Sequence, residues 1–186
     1  MEVVGLKGER VRLVPSEPNL HLENALRWLN DPAVTATLDV SFGVTRREEE
    51  AFFERLAAHR DTDLHWAILT EDGQHVGFIA LHQIQWPTRC ALGGLVIGEK
   101  DTWGRGYATD AVRTRSRFAF EHMGLHRIEG RTINPAMRRV YEKCGYQAEG
   151  LARKKAWRGG RWHDAFLYSL LDEDYFATTR NSAPLQ

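Results

Sequence analysis

The chain has 186 residues, 42% of them hydrophobic, and its 25 Lys and Arg balance its 25 Asp and Glu. That length suits one domain with a sizeable core, and the neutral balance supplies no overall field to draw the protein to nucleic acid, an anionic membrane or a polyanion. Cys90 and Cys144 are too few for a disulfide framework and lack zinc-ligand spacing. No stretch nears the ~20 apolar residues of a membrane span and residues 1–7 lack the apolar run of a signal peptide, so a cytoplasmic protein with reduced thiols is expected.

Residues 10–14 alternate polar and apolar between Gly8 and Pro15, as a half-buried strand does. Leu22, Ala25, Leu26 and Leu29 recur at helical spacing, and Pro32 ends that helix because it disfavours helical geometry in the residue before it. Thr45 and Glu48 form a capping box ahead of Phe52, Phe53 and Leu56. Residues 65–69 and 76–81 read as a hairpin around Asp72-Gly73. A third strand at 91–97 leads into Trp103-Gly104-Arg105-Gly106-Tyr107-Ala108-Thr109, a glycine turn that opens a helix bearing Ala111, Val112, Phe118 and Ala119.

Such a turn either makes a tight connection or holds a diphosphate, since free N–H groups at a helix N-terminus attract anions and glycine keeps Cβ atoms out of the way. A second strand-to-helix unit follows at 127–133. Asn134 stands at its N-cap, Pro135 at the first helical position, Met137, Val140, Tyr141 and Cys144 on one face, and Gly145 at the C-terminal cap. Strands at 150–157 and 162–171 flank a Gly159-Gly160 tip. After Phe176 the composition turns polar, which predicts a domain over 1–176 and a frayed tail over 177–186.

In this order the pieces resemble the GNAT superfamily of acetyl-CoA-dependent N-acetyltransferases, and within it the ribosomal-protein N-terminal (RimJ/RimL-type) branch. The resemblance rests on Leu6-Lys7-Gly8-Glu9-Arg10-Val11-Arg12-Leu13, Trp28-Leu29-Asn30-Asp31-Pro32, the segment 103–109, Asn134, Tyr141-Glu142-Lys143-Cys144-Gly145-Tyr146, Glu149-Gly150 and the segment 160–164. It implies an α/β domain with a mixed central sheet of about six to seven strands, flanked by helices, whose splayed central strands hold the cofactor. Two departures stand out: Trp103 where the superfamily loop often opens with Gln or Arg, and Met137 where the branch often has Ser.

The same resemblance assigns residues to roles. Leu95, Val96 and Ile97 would offer main-chain groups to pantetheine and the oxyanion, and the loop of Trp103, Gly104, Arg105, Gly106, Tyr107, Ala108 and Thr109 would hold the diphosphate. Asn134 would bond the pantetheine arm. Arg138 and Arg139 would meet the nucleotide phosphates or stay plain solvated charges. Tyr141 would be the general acid, a phenol being able to protonate a thiolate, although its place on an apolar helix face also fits core packing. Asp164 would face the acceptor or stand on the surface.

No general base stands out, because Leu92 or Gly93 replaces the acidic residue of relatives and no partner pattern singles out His65, His82 or His126. That absence favours a low-pKa amine: an α-amino group is roughly a tenth neutral at physiological pH, a lysine amine about a thousandth. The expectation is direct acetyl transfer from acetyl-CoA to a primary amine in a ternary complex, with no metal, the acceptor being a protein N-terminal α-amine. Alternatives are a small-molecule amine (amino sugar, polyamine, amino acid or antibiotic) or a non-catalytic acetyl-CoA-binding regulatory module. Homodimerisation is common in the branch, and no sequence feature establishes it.

Overall fold

The computed structural model describes residues 5–40 and 43–182. Among these residues, eight strands form one sheet in the order β1-β2-β3-β4-β5-β6-β8-β7. In chain order the elements are β1 (Leu6–Lys7), β2 (Val11–Pro15), α1 (Pro18–Leu29), α2 (Pro32–Thr35), α3 (Arg46–Ala58), β3 (Leu64–Thr70), β4 (His75–Gln85) and β5 (Cys90–Ile97). There follow a short 3₁₀ turn (Lys100–Thr102), α4 (Tyr107–Glu121), β6 (Arg127–Thr132), α5 (Pro135–Lys143), β7 (Gln147–Arg158), β8 (Arg161–Leu171) and α6 (Asp172–Ser182). Every neighbouring pair is antiparallel except β5 with β6.

Local chemistry sets the helix ends as the sequence predicts. The Thr45 hydroxyl accepts from Glu48 N (3.3 Å), while the Glu48 carboxylate accepts from Thr45 N (2.8 Å), completing the capping box. Asn134 Oδ1 accepts from Ala136 N at 2.9 Å, with Pro135 at the first helical position. At the other end of α5, Gly145 takes φ +82°. Tyr146 N donates to Tyr141 O (3.0 Å) and Gly145 N to Glu142 O (3.2 Å), a Schellman closure that fixes both tyrosines.

Apolar residues alternate between the sheet's two faces. Ile79 and Leu81 join Ala111, Val112 and Tyr141 on the α4–α5 face, whereas Phe78 joins Leu22, Trp28, Val34 and Phe53 on the α1–α3 face. Four differences from the sequence reading have local causes. Strand β1 is too short to show a period, and β7 begins at Gln147 because an edge strand with both faces in water shows no alternation. Pro32, which stops α1, also starts α2, where Asp31 Oδ1 accepts from Ala33 N (2.9 Å).

The fourth concerns the tail. Residues 177–182 are the end of α6, so the position expected as a boundary, 176, falls inside a helix; 183–186 and the first four residues lie outside the described ones. Anchors in the first turn hold it: Asp172 N donates to His126 O (3.0 Å), and Tyr175 and Phe176 pack on the core.

Candidate active site

Strands β5 and β6 pair over three residue pairs only, Cys90 with Arg127, Ala91 with Ile128 and Leu92 with Glu129. Beyond them the strands part, while β5 keeps its other edge on β4 as far as Ile97. Main-chain groups of residues 93–97 that point towards β6 therefore have no strand partner, and residues 92–97 stay half-buried in the middle of a sheet. A cleft of about 1020 Å³ occupies the gap.

At one end of the cleft lies the start of α4. Trp103 Nε1 donates to Ile97 O (2.8 Å) and ties the loop to the end of β5. Gly104 and Gly106 take φ +80° and +86°, and the space beyond their Cα atoms is open: nothing lies within 4 Å of a Cβ at Gly104, and only Arg10 at 3.8 Å from one at Gly106. Gly106, as N-cap, offers no side-chain acceptor, so the first-turn N–H groups of Tyr107, Ala108 and Thr109 stay available to an anion. The one carboxylate of that turn, Asp110, is used elsewhere, accepting from Glu9 N (3.2 Å), Arg10 N (2.7 Å) and Val11 N (3.0 Å).

Three glycines at the gap each make room for one polar side chain. A Cβ on Gly130 would stand 2.5 Å from the Tyr141 hydroxyl, one on Gly93 would collide with the Arg115 guanidinium, and one on Gly94 would stand 3.0 Å from His82 Nε2. Tyr141 and Arg115 lie on the α4–α5 face, and His82 on the opposite one. The Gly93-Gly94 pair inside a strand is the sequence signal of this close approach.

Tyr141 is buried, lines the cleft, and stacks on Tyr168 at 5.2 Å between centroids with Tyr146 at 4.9 Å. Its neighbours' hydroxyls are engaged: Tyr146 accepts from Arg115 (2.7 Å) and Tyr168 donates to Glu142 (3.2 Å). Among the described residues no hydrogen bond to the Tyr141 hydroxyl is present. Burial pushes this phenol well above its ordinary range and Tyr146 adds to the shift, while the positive Arg115 opposes it. The group is thus protonated at every physiological pH. Arg115, almost fully buried, has no carboxylate partner among the described residues; its other bond there is to Ala80 O (3.3 Å), and its Nε finds none.

On the other face, His82 Nδ1 lies 2.9 Å from Asp63 Oδ1, both groups being partly exposed. Burial would raise the Asp63 carboxyl, but hydrogen bonds from His82 and Thr62 outweigh it and leave it below its usual range. His65, also on the cleft wall, is pushed down to about 3 by burial, with His82, His21 and His75 adding charge repulsion. Composition and spacing did not single out His82, because its partner sits 19 residues away and meets it only through the β3–β4 register.

The remaining sequence candidates divide. Leu95, Val96, Ile97, Trp103, Gly104, Gly106, Tyr107, Ala108, Thr109, Asn134 and Arg139 line the cleft with Tyr141, whereas Arg105, Arg138 and Asp164 are not on its wall. The Arg138 guanidinium lies 3.7 Å over the Phe166 ring, because a planar cation stacks readily on an aromatic face, and it donates to Tyr168 (3.4 Å). Asp164 accepts from Lys154 N (2.7 Å), a bond across the β7–β8 hairpin that holds its carboxylate on the surface. Asn134 spends Oδ1 on the helix cap and donates from Nδ2 to Thr37 (3.2 Å), bridging to the segment after α2. Lys143, not considered from sequence, joins Arg139 on the wall.

Residues 10–147 match the family model described as an acetyltransferase (GNAT) domain. The chain belongs to the GNAT family. It is 32% identical over 182 residues to YjcK of Bacillus subtilis (strain 168), named a probable N-acetyltransferase, covering 91% of this chain and 98% of that one. It is also 35% identical over 109 residues, 58% of this chain and 59% of the relative, to YdaF of the same organism, whose name carries a provisional ribosomal N-acetyltransferase assignment. The fold is that of the Vibrio cholerae spermidine N-acetyltransferase solved with CoA and spermine: TM-score 0.83 and 20% identity, covering 89% of this chain and 98% of that one.

This GNAT is an N-acetyltransferase, and its cosubstrate is acetyl-CoA. The site fits that molecule: glycines without Cβ atoms and free amides at the start of α4 suit a diphosphate, and the parted strands suit an extended pantetheine arm. Among the described residues no group of three or more His, Cys, Asp or Glu is placed to hold a metal, and no helix is long and apolar enough to cross a membrane.

Proposed function

We propose that the enzyme transfers acetyl directly to a primary amine carried on an apolar or aromatic body, such as the N-terminal residue of a peptide or a small arylalkylamine. The parting of β5 from β6 carries the reading, since it opens a path from the cofactor face of the sheet to the α1–α3 face. Bound acetyl-CoA supplies the activated acyl group. The chain's own groups do the rest: amides at the start of α4 hold the diphosphate, main chain of residues 95–97 faces the developing oxyanion, and Tyr141 presents a proton from the α5 side.

The acceptor preference follows from charge. Among the described residues of the cleft wall the only carboxylate is Asp39, which already meets Arg131 (3.1 Å) and Arg158 (3.5 Å). The other charges there are Arg131, Arg139, Lys143 and Lys155, while Leu29, Val34, Leu38, Phe52 and Phe78 form an apolar lining. A polyamine needs several carboxylates to replace its hydration, and this wall offers it none that is free. A thiol-release assay over peptides with apolar N-termini, arylalkylamines, amino-acid amides and spermidine tests the reading. At least tenfold higher kcat/KM for the apolar-bodied amines is expected, and a preference for spermidine would overturn it.

A further inference from the structure

We propose that His82, oriented by Asp63, is the base that takes the proton from the attacking amine, and that it works from the face of the sheet opposite Tyr141. The inference rests on the acetyl-transfer reading above and supplies the proton acceptor which that reading leaves unnamed. It stands on three geometric observations. His82 Nε2 is aimed at Gly94, on the unpaired edge of β5, and a Cβ there would stand only 3.0 Å away. Its Nδ1 faces Asp63 Oδ1 at 2.9 Å, which leaves Nε2 as the nitrogen free to accept.

The third observation is a β-bulge directly after His82. The β4–β5 register slips between His82 and Gln85, and Gln83 takes φ +51°, an uncommon conformation for a residue other than glycine. Bulges beside active sites re-aim side chains, and this one turns the end of β4 so that His82 sits over the gap.

The groups facing His82 are few. Asp63 comes from the segment before β3, and His65 from β3 itself, while β5 opposes it with Leu92 and Gly94, neither of which titrates. Burial keeps His65 neutral, so it is no rival charge, and its Nδ1 lies 3.0 Å from Ser16 Oγ. Asp63, a positioning residue, fixes the imidazole tautomer and steadies the imidazolium when it forms.

The step balances as follows. A neutral amine nitrogen forms the N–C bond to the thioester carbonyl and sheds its proton to His82 Nε2. The C–S bond then breaks, its electron pair stays on sulfur, and the thiolate takes the proton offered by Tyr141. Solvent returns the proton from imidazolium to phenolate, so that one proton passes in total from nitrogen to sulfur across the sheet.

The test is the pH profile of kcat/KM with the best acceptor amine, for the wild type, His82→Gln and Asp63→Asn, alongside acetyl-CoA affinity and melting temperature. The wild type should lose activity on the acid side as the base is protonated. His82→Gln should lower kcat by about 100-fold or more and abolish that acid limb, with acetyl-CoA affinity within about twofold. Asp63→Asn should keep the limb, displaced, with a fall of about tenfold. Partial rescue of His82→Ala by added imidazole is expected.

If His82→Gln retains the wild-type rate and acid limb, the proposal is overturned while the acetyltransferase reading survives. If no amine is acetylated by the wild type, that reading fails instead. Slow hydrolysis of acetyl-CoA, with water in place of the amine, then reads the base: an unchanged rate in His82→Gln overturns the proposal, and a comparable fall supports it.

Discussion

Tyr141 suits the proposed role because it is held protonated and its hydroxyl is unclaimed among the described residues, whereas Tyr146 and Tyr168, packed against it, have hydroxyls bonded within the protein. Replacing Tyr141 with Phe keeps the ring in its stack and removes only the hydroxyl, which in the proposed reaction is the proton donor. Turnover should fall by about 100-fold or more, with acetyl-CoA affinity within about twofold, read by thiol release and calorimetry. Gly130→Ala should reach a similar end without touching the phenol's chemistry, since the added methyl would occupy the place of the hydroxyl. At this scale the sequence was informative about Tyr141 and silent about His82. The family's pattern names the first, which helical spacing alone places on an apolar face, but the second depends on Asp63, brought opposite it from just before β3 by the β3–β4 register.

At the scale of elements, α4 is the decisive piece. Its first turn points open amides into the cleft because Gly106 at the N-cap has no side chain to satisfy them and takes φ +86°, a conformation that costs other residues about 1–2 kcal/mol. Gly106→Ala should therefore lower stability by about 1 kcal/mol in denaturant unfolding and weaken acetyl-CoA by about tenfold in calorimetry. The glycines, the capping box, Asn134-Pro135 and Gly145 were legible because each acts within a turn or two of itself. The start of the edge strand β7, the two-residue β1 and the extent of α6 were not. Solvent covers both faces of the first, the second is too short to carry a period, and the third is held by contacts from its own first turn that a polar composition conceals.

At the scale of the whole molecule, the α1–α3 face is a layer of packed rings. His65 and His75 stand with His21 around Phe78, and burial pushes His65 down to about 3 and His75 to about 4. Both lie below the ordinary histidine value near 6.5, so the unfolded chain binds more protons than the folded one between that value and pH 4. Stability is therefore fully present above about pH 6.5 and lost as the pH falls, by at most about 1.4 kcal/mol per pH unit for each histidine. Urea unfolding at pH 7, 5.5 and 4.5 should show the fall, and a variant with Gln at both positions should flatten it. The overall α/β plan was open to a sequence reading because the longer strands and helices carry their own period and caps; the assignment of side chains to opposite faces of one gap was not, since it depends on where two non-adjacent strands separate.

That separation also divides the molecule mechanically. Past Leu92 and Glu129 the backbone ladder between the two halves of the sheet has no more rungs, and the halves are joined there by three pairs and by the helices packed across them. A coenzyme lying in the breach would act as a keystone, lending the sheet the bonds its own strands forgo, so the resting enzyme would be weakest at the proposed reaction site and each turnover would begin by repairing its own scaffold.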